Sequence, residues 1–132
     1  MIGILLVAHA PLASAFLTAV HHVFKGEQEY LEAIDVQPDQ HTDEVIKLAR
    51  QAIGRLNSGK GVLVLTDAAG ATPANCSQQL DVPDQVAVLA GLSLPMLLRA
   101  LNYRTGKLDV VIEMAQSGAH SGAVRLRPDL SS

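Results

Sequence analysis

A chain of 132 residues, 48% of them hydrophobic, is long enough to bury one continuous core and too apolar to remain disordered. Ten basic against thirteen acidic side chains leave a formal charge of −3, which gives no electrostatic case for nucleic-acid binding, a function that uses a basic face. Cys76 is the one cysteine, so an internal disulfide is excluded and a reducing compartment fits.

The chain opens on Met1-Ile2-Gly3-Ile4-Leu5-Leu6-Val7-Ala8. This run has no basic flank and is too short for a membrane span, so it reads as a buried strand of a cytoplasmic protein without direct membrane insertion. Residues 12–23 follow with helical spacing: Leu12, Phe16, Ala19, Val20 and Val23 share one face, and Pro11 stands near the first turn. A second strand is expected over residues 29–36. Next comes Thr42-Asp43-Glu44, a start that suits a helix N-terminus. Val45, Leu48, Ala49, Ala52, Ile53 and Leu56 line one face of that helix. Residues 61–66 form a third apolar run. Pro73 opens a helix reaching about Leu80, and residues 85–90 form the fourth run. Residues 94–102 read as another helix. Leu108, Val111, Ile112, Ala115 and Ala119 mark the last one.

The first, third and fourth runs are continuous rather than alternating, as in strands covered on both faces. Strands alternating with helices imply right-handed βαβ crossovers. The expected fold is α/β and doubly wound: a mainly parallel sheet, helices on both faces, and a short C-terminal antiparallel edge strand over residues 124–127. One domain is expected over residues 1–127, with a polar tail over 128–132.

In such sheets ligands bind beyond the carboxyl ends of the strands, near a topological switch point. Three segments occupy that position: Ala8-His9-Ala10-Pro11, the stretch from Thr66 through Asp67, Gly70, Ala71, Thr72 and Pro73 to Asn75, and Gly91-Leu92-Ser93-Leu94-Pro95. If the first and third strands are neighbours, His9 and Asp67 converge. A carboxylate accepting from one imidazole nitrogen fixes the tautomer, and the other nitrogen is left as a nucleophile. A helix N-terminus after Gly70 and Ala71, with the Thr72 hydroxyl beside it, suits phosphate oxygens. Each residue alone has a plainer reading. His9 ends a strand, Asp67 fits a turn, and Thr72 fits a helix cap. Their combination favours histidine phosphorylation. Cys76 reads as a packed thiol. His21, His22, His41 and His120 lack metal-ligand spacing, so neither a metal site nor a cofactor is expected.

These residues resemble the mannose-type enzyme IIA domain of the bacterial phosphoenolpyruvate-dependent sugar phosphotransferase system. The opening strand ending in His9 is similar to the family's phosphoacceptor strand. Leu65-Thr66-Asp67 through Asn75 resembles its Asp-x-x-Gly-Gly-Ser/Thr-Pro-x-Asn loop. Ala90-Gly91-Leu92-Ser93-Leu94-Pro95-Met96-Leu97 resembles its third motif. Ala10-Pro11 stands where the family has glycine after the histidine, Ala71 replaces the second loop glycine, and Ser93 replaces an asparagine. The resemblance implies that phospho-HPr loads His9 on Nε2 and that a IIB component in trans receives the group. It implies that Asp67 holds the other ring nitrogen and that Gly70, Ala71 and Thr72 hold the phosphoryl oxygens. It also implies a homodimer that exchanges a C-terminal edge strand, for which residues 124–127 are the candidate. Two alternatives stay open: a regulatory phosphorylation switch without sugar transport, and a phosphoryl donor to dihydroxyacetone kinase.

Overall fold

The computed structural model describes residues 1–68 and 70–128. In chain order its elements are β1 (Gly3–His9), α1 (Leu12–Phe24), β2 (Leu31–Val36), α2 (Thr42–Leu56), β3 (Val62–Thr66), α3 (Thr72–Gln78), β4 (Val86–Ala90), α4 (Leu94–Tyr103) and α5 (Leu108–Gly122). The strands pair in the order β2-β1-β3-β4, and every ladder is parallel.

Alternation along β1 divides the core in two. Ile4, Leu6 and Ala8 face a layer built from α1, α4 and α5, with Val20, Leu97 and Val111 among its buried residues. Leu5 and Val7 face α2 and α3, where Val45, Ala49, Leu56 and Cys76 are buried. Both faces are therefore dry, which is why β1 and β3 read as unbroken apolar runs. Each fully buried Leu or Ile contributes about 1.5–3 kcal/mol relative to exposure. At the amino end, Gly3 leaves room for α2: a Cβ there would stand 2.5 Å from the Leu56 carbonyl oxygen.

Three expectations need correction. On α1 the packed face is Ala13, Phe16, Leu17, Val20 and Phe24, while Leu12 and Val23 are exposed. The helix is turned by about one residue, because Ala13 rather than Leu12 lets its first turn approach the sheet. On α2 Ile46 is buried and Leu48 is exposed, a similar rotation. Among the described residues of this single chain no antiparallel edge strand forms. Residues 123–128 form no ladder, and Val124 and Leu126 stand 64% and 86% exposed, since an extended segment forms a strand only where a sheet edge accepts its hydrogen bonds. Of the tail over 128–132, only Pro128 lies among the described residues.

Candidate functional site

From β1 the chain crosses to β2 on one side, then returns to β3 on the other. The switch point thus lies between the carboxyl ends of β1 and β3. His9 is the last residue of β1, and Asp67 directly follows β3. The structure brings the two side chains together there.

His9 Nδ1 lies 2.6 Å from Asp67 Oδ2. The same oxygen accepts the His9 backbone N–H at 3.1 Å, and Oδ1 accepts the Ala68 N–H at 2.9 Å. Burial pushes the Asp67 carboxyl up. The hydrogen bonds from the His9 ring, the His9 N–H and the Ala68 N–H outweigh that, and the group is held below the usual carboxylate range. An ionised carboxylate only accepts, so Nδ1 carries the hydrogen and Nε2 of a neutral ring keeps its lone pair. The Asp67 side chain is 11% exposed and that of His9 is 57% exposed. The orienter is therefore sheltered and the ring is open to a visitor.

The segment after Asp67 turns through Gly70 at φ +84°, a conformation that favours glycine. The Ala71 N–H donates to the Ala68 carbonyl at 3.2 Å, and Asn75 Nδ2 reaches the Gly70 carbonyl at 3.4 Å. Thr72 opens α3 and, with Pro73, lines a small cavity of about 190 Å³ against His9. Gly70 lines a different depression, beside Thr66 and Asn75. Of the three residues expected to hold phosphoryl oxygens, Thr72 is thus the one that shares the cavity with His9. The third motif is laced to the second: the Gly91 and Leu92 N–H groups donate to the Asp67 and Thr66 carbonyls, each at 3.0 Å. Ser93 caps α4 by accepting the Met96 N–H.

The end of β2 and the loop after it were missed by sequence reasoning. Val36, Gln37, Pro38 and Gln40 complete the cavity around His9. The Gln40 carbonyl oxygen Oε1 accepts the Gln37 N–H at 3.1 Å. The strand-end rule points to this loop too, but it carries no nucleophile or glycine signature to draw attention. Among the described residues, no group of three or more His, Cys, Asp or Glu is placed to hold a metal ion. No described helix is long and apolar enough to cross a membrane.

Fold and site together define a doubly wound α/β domain with an oriented, solvent-open histidine at its switch point. The family described as the fructose IIA component of the PTS system, the mannose-type EIIA group, matches residues 3–116. The chain belongs to this EIIA family of the sugar phosphotransferase system. It is 30% identical over 105 residues to the mannose-specific EIIAB component of Escherichia coli K12, covering 77% of this chain and 32% of that protein. The chain thus spans about a third of that relative's length. The crystal structure of phosphotransferase component EIIA from Streptococcus agalactiae superposes with a TM-score of 0.84 at 30% identity, covering 95% of this chain and 97% of that one. The mannose/sorbose-specific IIA subunit from Enterococcus faecalis shares the fold, with a TM-score of 0.81 at 22% identity and 98% coverage of both chains.

Proposed function

We propose that this chain is a phosphoryl carrier that takes a phosphoryl group from phospho-HPr on His9 Nε2 and passes it to a IIB component acting in trans. The observation that carries this reading is the His9–Asp67 pair, with a sheltered carboxylate 2.6 Å from Nδ1 and a ring that is 57% exposed. The Nε2 lone pair forms the new N–P bond. The bond between phosphorus and the donor's ring nitrogen breaks, and its electron pair stays with the donor. Positive charge grows on the His9 ring and is balanced by the Asp67 carboxylate 2.6 Å away. Thr72 lines the same cavity, and in this reading its hydroxyl donates to a phosphoryl oxygen, with Gly70 and Ala71 shaping the approach.

The cavity beside His9 supports a protein partner over a free small substrate. At about 190 Å³ it is smaller than the roughly 300–1,000 Å³ usual for enclosing a small molecule. A group delivered on another protein's side chain needs only an accessible nitrogen. The setting in this reading is the cytoplasm, and the reaction needs no cofactor.

The same reading includes a homodimer. β4 ends the sheet, and Val82 bonds antiparallel to Val86, covering only its first residue on the outer side. Val124 and Leu126 alternate with Arg125 and Arg127 along an exposed segment. That period-two pattern suits a strand donated to a second copy's β4 edge.

Incubating the purified chain with phosphoenolpyruvate, enzyme I and HPr tests the carrier role. Acid-labile phosphohistidine is expected on the wild type and none on His9→Ala, followed by transfer to a mannose-type IIB protein. An unlabelled wild type, or equal label on His9→Ala, rejects the reading. A monomer by light scattering at micromolar concentration rejects the dimer.

A further inference from the structure

Pro11 precedes the first turn of α1, and no side chain of its own segment caps that helix. The missing partner comes from the neighbouring strand. Asp35 Oδ1 accepts the Ser14 N–H at 3.0 Å, and Oδ2 accepts the Ser14 hydroxyl at 2.6 Å. The Ser14 hydroxyl also lies 3.1 Å from the Pro11 carbonyl. With one proton and two acceptors, the shorter and charged contact takes it. A carboxylate at a helix N-terminus is also favoured by the helix dipole.

The register makes this more than a remote cap. Asp35 sits opposite Ala8, and Val36 opposite His9, in the β1–β2 ladder. The Ala10 N–H donates to the Val36 carbonyl at 3.0 Å, and the Ala15 N–H to the Pro11 carbonyl at 3.0 Å. The two residues between His9 and α1 are therefore clamped on both sides, by the end of β2 and by the first turn that Asp35 holds. Leu31 and Ala33 of β2 face the α1 layer, and Asp35 continues that alternation. Leu5 and Val7 face the other layer, and His9 continues theirs. Asp35 and the His9 ring thus lie on opposite faces of the sheet, so any influence of Asp35 runs through the main chain.

We propose that Asp35 is a positioning residue for His9: by tying the first turn of α1 to the end of β2, it fixes the Ala10-Pro11 elbow and holds the His9 ring in register with Asp67. This rests on the reading of His9 as the phosphoryl acceptor, and it adds a second carboxylate to the site that never touches the ring. Ser14 is the link between the two. A cap that served only the helix would change stability and leave the ring unmoved.

The test combines two measurements on Asp35→Ala, Asp35→Asn and Ser14→Ala. The first is steady-state phosphorylation by phospho-HPr. The second is the ¹⁵N spectrum of the His9 ring, which needs no phosphoryl donor. Asp35→Ala is expected to lower kcat about tenfold, as small displacements of a reacting group do, with KM for phospho-HPr unchanged. Its ring spectrum is expected to shift from the Nδ1–H form toward a mixture of tautomers. Asp35→Asn, whose Oδ1 still accepts the Ser14 N–H, is expected to restore most of both. Ser14→Ala keeps that backbone bond and serves if Asp35→Ala does not fold. It is expected to move both readouts the same way by a smaller factor. A wild-type kcat and ring spectrum in folded Asp35→Ala, or in Ser14→Ala where that variant stands in, overturns the proposal. Should wild-type protein accept no phosphoryl group, the carrier reading fails, and the ring spectra still decide the role of Asp35.

Discussion

The two ends of the sheet are built from the same strands and do opposite work. At the amino end, chain segments press together. Gly3 admits α2, and Arg104, 6% exposed, donates to the Glu29 carbonyl at 2.6 Å while its own carbonyl accepts the Ile2 N–H at 2.7 Å. At the carboxyl end a half-exposed histidine leans on one sheltered carboxylate. The larger depression, about 600 Å³ beside Lys60, Asp84 and Lys107, lies at the amino end, away from His9. On the proposed reading the chemistry sits beside the smaller cavity, at the carboxyl ends of the strands, where ligands of such sheets bind. The glycine and the buried arginine secure the frame, and the oriented ring uses it.

Four experiments sharpen or break that division. Asp67→Ala frees the ring to adopt either tautomer and removes the charge balancing it, so phosphorylation of His9 is expected to fall about 10²-fold. Quench-flow labelling checks this, with melting temperature as control. Gly3→Ala forces a Cβ to 2.5 Å from the Leu56 carbonyl oxygen. Overpacking of that kind costs about 1–3 kcal/mol, to be read from urea unfolding. The labelling rate of the folded protein should stay at the wild-type value, and a fall matching that of Asp67→Ala would erase the distinction between the ends. Arg104→Met leaves the Glu29 carbonyl without its side-chain donor, a loss of about 1–3 kcal/mol, again without change in labelling.

The smallest effect is on pH dependence. Asp67 is held below its usual range in the folded chain, so folding favours its charged form. The stability it supplies is fully present above the unfolded carboxylate value, and it is lost as pH falls through the lowered folded value. The stability gap between wild type and Asp67→Asn is therefore expected to close as pH falls below about 4. Denaturant titrations across that range would reveal it. A gap that persists or widens as pH falls below about 4 would contradict the lowered Asp67 carboxyl.

Much of this arrangement was legible in the residues. Continuous apolar runs located β1, β3 and β4, and strand polarity placed His9 and Asp67 at one edge once β1 and β3 proved adjacent. What escaped depends on three-dimensional detail that period alone does not carry. A helical stripe states that a face is apolar, but not how the helix is rolled, so the stripe includes Leu12 and Leu48 while Ala13 and Ile46 occupy the core. Asp35 is not legible in the sequence, because a carboxylate inside a strand has no signature for capping a helix on the neighbouring strand's crossover. The segment over 124–127 has strand character without a strand partner in one chain, since local pattern states readiness to pair rather than the identity of the pair.

The openness of the His9 ring has one more consequence for a carrier. A phosphoryl group on a nitrogen that solvent reaches is stored as charge is stored on a leaky capacitor. On the proposed reading, water would reach that group on His9, and the loaded state would last only as long as delivery outpaces hydrolysis. The fraction of molecules carrying the group would then follow the balance of donor against acceptor.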